Sequence, residues 1–256
     1  RYFRDGMFAT AVERLDALGQ AHPGSAHLVE AVLLEGQARF QLGQYEAVAT
    51  ELLAGLPTAG AWSDRYLYWI GEAQFALGRY VEAAAHYGQL IEKHPDSDRA
   101  LTAALGQAQS LNKLGKLQEC IAALEPADGP FQRAASARPG DALIVDGRLL
   151  LANAYFEMGE LGASRLLLEN LPANGLSPER FWRKHHMLAS VYLADASFKR
   201  ALSGATNLVQ LANGIADPVY AARSVDFHGD VLRRMSQPDD AVALYERNLA
   251  TDIPPD

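Results

Sequence analysis

Apolar residues come in short runs broken by charges, and their spacing is helical. After Gly78, the positions Tyr80, Ala83, Tyr87, Leu90 and Ile91 follow the i, i+3, i+4, i+7 rule of one buried helical face. Ahead of Gly78, a second helical pattern runs through Ile70, Gly71, Ala73, Phe75 and Leu77. Gly78 falls at the break, where a residue without Cβ takes positive φ at low cost. Gly71 and Ala83 are small enough to let two helix backbones approach, with aromatics filling the space between. No β-branched runs bounded by hairpin turns occur, so strands are not expected.

The pattern Gly, any residue, aromatic or Leu, two more, then a small residue recurs along the chain. It stands at Gly6, Phe8, Ala11; at Gly43, Tyr45, Val48; and at Gly78, Tyr80, Ala83. It returns at Gly115, Leu117, Cys120; Gly159, Leu161, Ser164; Ala196, Phe198, Ala201; and Ser236, Pro238, Ala241. The spacing stays between 35 and 44 residues, which predicts an internal repeat of helix pairs. Ser25, Ser63, Ser97, Asp141, Ser177 and Asp217 are the expected N-caps, the last two followed by Pro178 and Pro218 at the first helical position. The expected fold class is all-α, helix-turn-helix units stacked as an alpha-alpha solenoid over residues 1–256 as a single array of about seven units.

With Gly71, Tyr80, Ala83, Tyr87 and Pro95 at their places, the spacing resembles the tetratricopeptide repeat (TPR), and the resemblance implies a right-handed superhelix. It spans the chain and loosens toward the C-terminus, where Ala196 and Ser236 replace Gly and Pro238 fills an aromatic slot. The unit Tyr68–Ser97 is similar to repeats of bacterial cell-envelope proteins, notably the TolA-binding coordinator type. A periplasmic or envelope location follows from that likeness, a cytoplasmic one otherwise. Arg1–Asp5 reads as the tail of a first helix, and Thr251–Asp256 as an inter-unit turn. The chain therefore reads as a fragment of a longer protein. The segment Glu125–Asp141 is a longer connection with three prolines: a loop or extra helical turn, or else a kink or partner-contacting flap.

Composition narrows function by exclusion. A net charge of -8 argues against a nucleic-acid partner, which needs clustered Lys and Arg. No apolar run approaches the roughly 18–20 residues of a membrane span. One cysteine, Cys120, rules out an internal disulfide and multi-cysteine metal sites; it fills a small-residue slot and reads as a buried hydrophobe. His185 and His186 point about 100° apart on a helix and cannot chelate together. His22 and His94 occupy equivalent inter-unit turns and read as surface residues. Phosphate-binding glycine motifs are absent, and Glu82, Glu119 and Asp240 are expected on solvated faces. No cofactor, metal or catalytic group is expected; the chain reads as a non-enzyme.

The TPR resemblance implies that first helices line a concave groove. Carried over residue by residue, the groove positions fall on Gln37 and Phe40; on Arg65, Tyr68, Glu72 and Phe75; and on Gln109 and Asn112. They continue on Asn153 and Phe156, and on Arg183, His186 and Ser190. Amides, aromatics and a few charges at such places suit an extended peptide. Phe40, Phe75 and Phe156 recur at one register, which equally suits packing between neighbouring helices. The Lys and Asn set of the chaperone-binding clamp is missing from Glu30, Gln37, Arg65 and Glu72. The expected function is a protein-interaction scaffold with a peptide or protein partner. The alternatives are a ligand- or effector-binding regulatory module, and an accessory arm of a larger protein.

Overall fold

The computed structural model describes residues 2–172 and 174–249. The Thr251–Asp256 stretch, read above as an inter-unit turn, lies outside the described residues, as does Arg1. Those described form 14 α-helices and no strand: α1 (Phe8–Ala21), α2 (Leu28–Gln41), α3 (Tyr45–Gly55), α4 (Ser63–Ala76), α5 (Tyr80–Lys93), α6 (Ala100–Lys113) and α7 (Leu117–Leu124). Then follow α8 (Pro130–Ala137), α9 (Ala142–Glu157), α10 (Leu161–Glu169), α11 (Pro178–Ala194), α12 (Phe198–Ala212), α13 (Pro218–Arg234) and α14 (Pro238–Leu249). Two compact units divide the chain, residues 1–134 and 135–256, with the division inside α8.

Each hairpin turn is made the same way. Gly6, Gly43, Gly78, Gly115 and Gly159 have positive φ, and so do Ala196 and Ser236 at 54° and 62°. The N–H of the following residue donates to a carbonyl five residues back, as in Arg79 to Gln74 at 2.8 Å and Ser197 to Tyr192 at 2.8 Å. That bond satisfies a carbonyl the helix end leaves open. The left-handed residue reverses the chain, and the next helix starts two residues later.

Inside a hairpin, the residue seven before the turn faces the residue nine after it. A Cβ on Gly71 would lie 2.7 Å from the Tyr87 ring, and one on Gly36 3.2 Å from Leu52. On Gly229 it would collide with the Tyr245 hydroxyl. Tyr87 also meets the next hairpin, where a Cβ on Gly106 would stand 2.6 Å from the ring. This fully buried ring is thus held between two glycine faces. Where the residue after the turn is smaller, its neighbour in the next hairpin is larger: Leu52 shares a core with Trp69, Leu168 with Met187, and Ala205 with Phe227. Such size matching keeps interior density without voids.

The caps differ from expectation in part. Asp141, Ser177 and Asp217 do cap α9, α11 and α13, accepting from Leu143, Arg180 and Val219. Ser25 and Ser97 instead close tight turns just ahead of α2 and α6, accepting from the N–H groups of His27 and Arg99. Ser63 is the first residue of α4, and its hydroxyl pairs with His94 Nε2 at 2.9 Å. His94 is therefore a half-buried link between consecutive inter-unit turns, not a plain surface residue. The connection Glu125–Asp141 holds α8, whose Phe131 is buried. Gln132 donates to the Leu124 carbonyl at 2.9 Å and Arg133 to the Pro95 carbonyl at 2.8 Å. Those bonds and the buried ring tie the start of α8 into the first unit.

Candidate partner-binding surface

In residues 1–134 the sequence-derived positions lie on α2, α4 and α6. Tyr68 is the centre of the most connected group. Its half-buried ring carries the Arg99 guanidinium 5.2 Å from its centroid and contacts Trp69 edge-on at 5.5 Å. Burial raises its phenol pKa to about 12; the Glu72 carboxylate adds to the rise and Arg99 opposes it. Thr102, the counterpart on α6 of Arg65 on α4, lies beside the same phenol and donates its hydroxyl to the Arg99 carbonyl at 2.9 Å. Glu72 is fixed from beneath: the Tyr87 hydroxyl donates to its Oε1 at 2.6 Å. Burial, together with that carboxylate, pushes the Tyr87 phenol far above its ordinary value. The result is a neutral, oriented Tyr68 beside a carboxylate whose position is set by the core.

The other positions of this unit divide by what they touch. Arg65 lies over the Trp62 ring at 4.8 Å, a contact of about 0.5–1 kcal/mol at an exposed site. Phe40 meets Tyr45 at 5.0 Å and Trp69 at 5.1 Å; Phe75 meets Tyr80 at 5.2 Å. Both phenylalanines are half-buried and brace the start of the second helix of their own hairpin. Gln37 is half-buried, Gln109 exposed, and Asn112 half-buried with its Oδ1 buried and without a donor.

In residues 135–256 the positions sit on α9 and α11. Asn153 donates to Glu157 at 2.6 Å, and Phe156 packs on the core around Leu149 and Leu168. Arg183 lies 3.6 Å from Asp146, which Arg180 already holds through two bonds of 3.0 and 2.7 Å. His186 stacks on Trp182 at 4.8 Å and leans on Phe227 at 5.0 Å. Burial lowers its pKa, and the Arg223 charge lowers it further. Ser190 spends its hydroxyl on the His186 carbonyl at 2.9 Å.

Sequence reasoning missed Arg99, Thr102 and the Tyr87 hydroxyl. Thr102 could have been found, because it holds the register of Arg65 one repeat later. Cys120 is fully buried, and no group of three or more His, Cys, Asp or Glu among the described residues could hold a metal ion. No described helix is long and apolar enough to cross a membrane.

Residues 65–97, which take in α4 from Arg65 onward, its turn and α5, match the tetratricopeptide repeat family. No curated protein is matched. Among solved structures, a tetratricopeptide repeat protein from Parabacteroides merdae is similar with a TM-score of 0.64 and 13% identity, over 99% of this chain and 90% of that one. BtubC from P. vanneervenii aligns with a TM-score of 0.64 and 15% identity, over 82% of this chain and 89% of its own. MamA from Desulfovibrio magneticus RS-1 aligns with a TM-score of 0.60 and 17% identity, over 74% and 97%. At such identities the likeness shows the fold, helical hairpins of the tetratricopeptide kind packed one on the next.

Proposed function

We propose that this chain is a non-catalytic interaction scaffold that docks an extended segment of a protein partner on its first-helix faces. The observation that carries the proposal is the Tyr68–Arg99 pair, which joins successive first helices at a half-exposed aromatic and cationic surface. Tyr68 supplies broad contact area with few rotamers to immobilise and Arg65 a planar cation, the composition of binding hot spots. Gln37, Gln109 and Asn112 supply amides able to pair with a peptide backbone, and Glu72 is a fixed acceptor for a partner's N–H or cation. Phe40 and Phe75 form the apolar floor. On the second unit, Asn153, Phe156, Arg183 and His186 make the corresponding surface of the proposal.

The resemblance of Tyr68–Ser97 to cell-envelope repeats extends this reading to a partner in a bacterial envelope. The test is capture of the partner from cell extract by the wild-type chain and by a Tyr68→Ala, Arg65→Ala double variant. Loss of capture with unchanged helicity supports the surface. Undiminished capture by the double variant removes α4 from the site.

A further inference from the structure

Ala196 and Ser236 are the described residues other than glycine with positive φ, and both line one depression of about 710 Å³ in the second unit. Five sister turns keep glycine at this place, so side chains have been admitted at two turns that share a cleft. Residues held in costly backbone regions gather at functional sites.

The lining has a second property. Its apolar part is Phe198 and Met235, both half-buried; its charged part is Lys199, Arg200 and Arg234, all exposed. No carboxylate lines it. Asp195, which accepts weakly from Ser197, and Asp239 and Asp240 at the start of α14 are close in sequence but outside the lining. Arg200 rests 5.6 Å from the Tyr192 ring. Among the described residues Lys199 and Arg234 form no ion pair, whereas the neighbouring Arg233 pairs with Asp230. In a chain of net charge -8, three cations of one sign around an apolar wall make a local field that attracts anionic groups.

We infer that this cleft, at the turn edge of the second unit and away from the first-helix faces, docks a short acidic segment of a partner protein that carries a bulky apolar side chain. The apolar side chain covers Phe198 and Met235, and flanking carboxylates meet Lys199, Arg200 and Arg234. A small inorganic anion fits less well. Such an ion needs donors converging on one point, whereas this volume is in the range that accommodates a drug-sized ligand and its wall is partly apolar.

The experiment is fluorescence anisotropy of the whole chain with a labelled peptide of glutamates flanking one central Leu-Phe pair. Saturable binding that weakens with added salt is expected. Lys199→Glu with Arg234→Glu should weaken it by about tenfold or more, since both meet the carboxylates directly. Tyr68→Ala should leave it unchanged, which separates this site from the first-helix surface. Replacing Leu-Phe by Ser-Ser should cost about tenfold. Absence of binding overturns the inference, as does an unaltered affinity in the charge-reversed variant when circular dichroism shows it folded. Tripolyphosphate that binds as tightly as the peptide and displaces it also overturns the inference, making the cleft a general anion site.

Discussion

In residues 1–134 the turns at 6, 43, 78 and 115 all carry glycine, whereas in residues 135–256 only the turn at 159 does, and Ala196 and Ser236 take its place at the other two. The buried polar groups differ in parallel. The first unit uses two phenols and one hydroxyl: Tyr66 donates to the Val29 carbonyl at 2.7 Å, Tyr87 to Glu72, and Ser110 to the Gly106 carbonyl at 2.7 Å. The second uses an indole, a hydroxyl and an amine. Trp182 Nε1 donates to Ser224 Oγ at 2.8 Å, Ser164 to the Ala152 carbonyl at 2.8 Å, and Lys184 to the Leu171 carbonyl at 2.8 Å. One hairpin geometry is therefore reached by two chemistries. The first unit spends little on its turns and locks its core with large rings against glycine. The second accepts strained turns, sets one ring, Tyr245, against Gly229, and bonds its core through an indole, a hydroxyl and an amine.

The largest effect expected is at the ring that fits between glycines. Tyr87→Ala should destabilise the first unit by about 3–5 kcal/mol through the cavity it leaves, read as a lowered urea midpoint. An unchanged midpoint would deny Tyr87 its locking role. Gly71→Ala comes next. Its Cβ would stand 2.7 Å from that ring, and overpacking should cost about 1–3 kcal/mol without emptying any space.

A third difference is pH dependence. Tyr66 and Tyr68 have phenol pKa values raised to about 12, mainly by burial, and that of Tyr87 is raised further. The folded state thus favours the protonated phenols relative to the unfolded chain, where they ionise near 10. Their contribution is whole below about pH 10 and is lost as pH rises from about 10 through about 12. In the second unit the Tyr245 phenol pKa is also raised, mainly by burial, but without a shift of that size. Alkali should therefore expose the first unit to proteolysis before the second; the reverse order of cleavage would refute the contrast.

The smallest effect tests the turns. Ala196→Gly and Ser236→Gly should each stabilise the second unit by about 0.5–1 kcal/mol, because a left-handed conformation costs about 1–2 kcal/mol with a Cβ and glycine returns part of that in chain entropy. Gly78→Ala should do the opposite in the first unit. Thermal melting of the three variants checks both signs.

Much of this architecture was legible from residues. Glycine at the turns could be read because few other residues take positive φ, and the spacing alone located the two turns that lack it. Asp141, Ser177 and Asp217 were readable as caps. Ser25, Ser63 and Ser97 were not, since a hydroxyl can serve any of several neighbouring N–H groups and an offset of one or two residues leaves no trace in the sequence. The helical nature of Glu125–Asp141 was one of two open readings. At the candidate surface, Tyr68 and Glu72 follow from register. Their coupling does not, because Tyr87 reaches Glu72 from the second helix of the hairpin and Arg99 reaches Tyr68 from the next repeat.

The sharing of Tyr87 between Gly71 and Gly106 bears on how such a chain can be recombined. A hairpin lifted out with Tyr87 and placed ahead of another copy would meet Trp69, Leu150, Met187 or Phe227 at the register of Gly106. None leaves room for the ring. The hairpin after the turn at 196, with Ala205, has the opposite requirement and needs a bulky follower such as Phe227. These hairpins look interchangeable in outline, yet each carries a size code for its neighbour. Duplication or swapping within the array is open only to cuts that move both halves of a matched pair together.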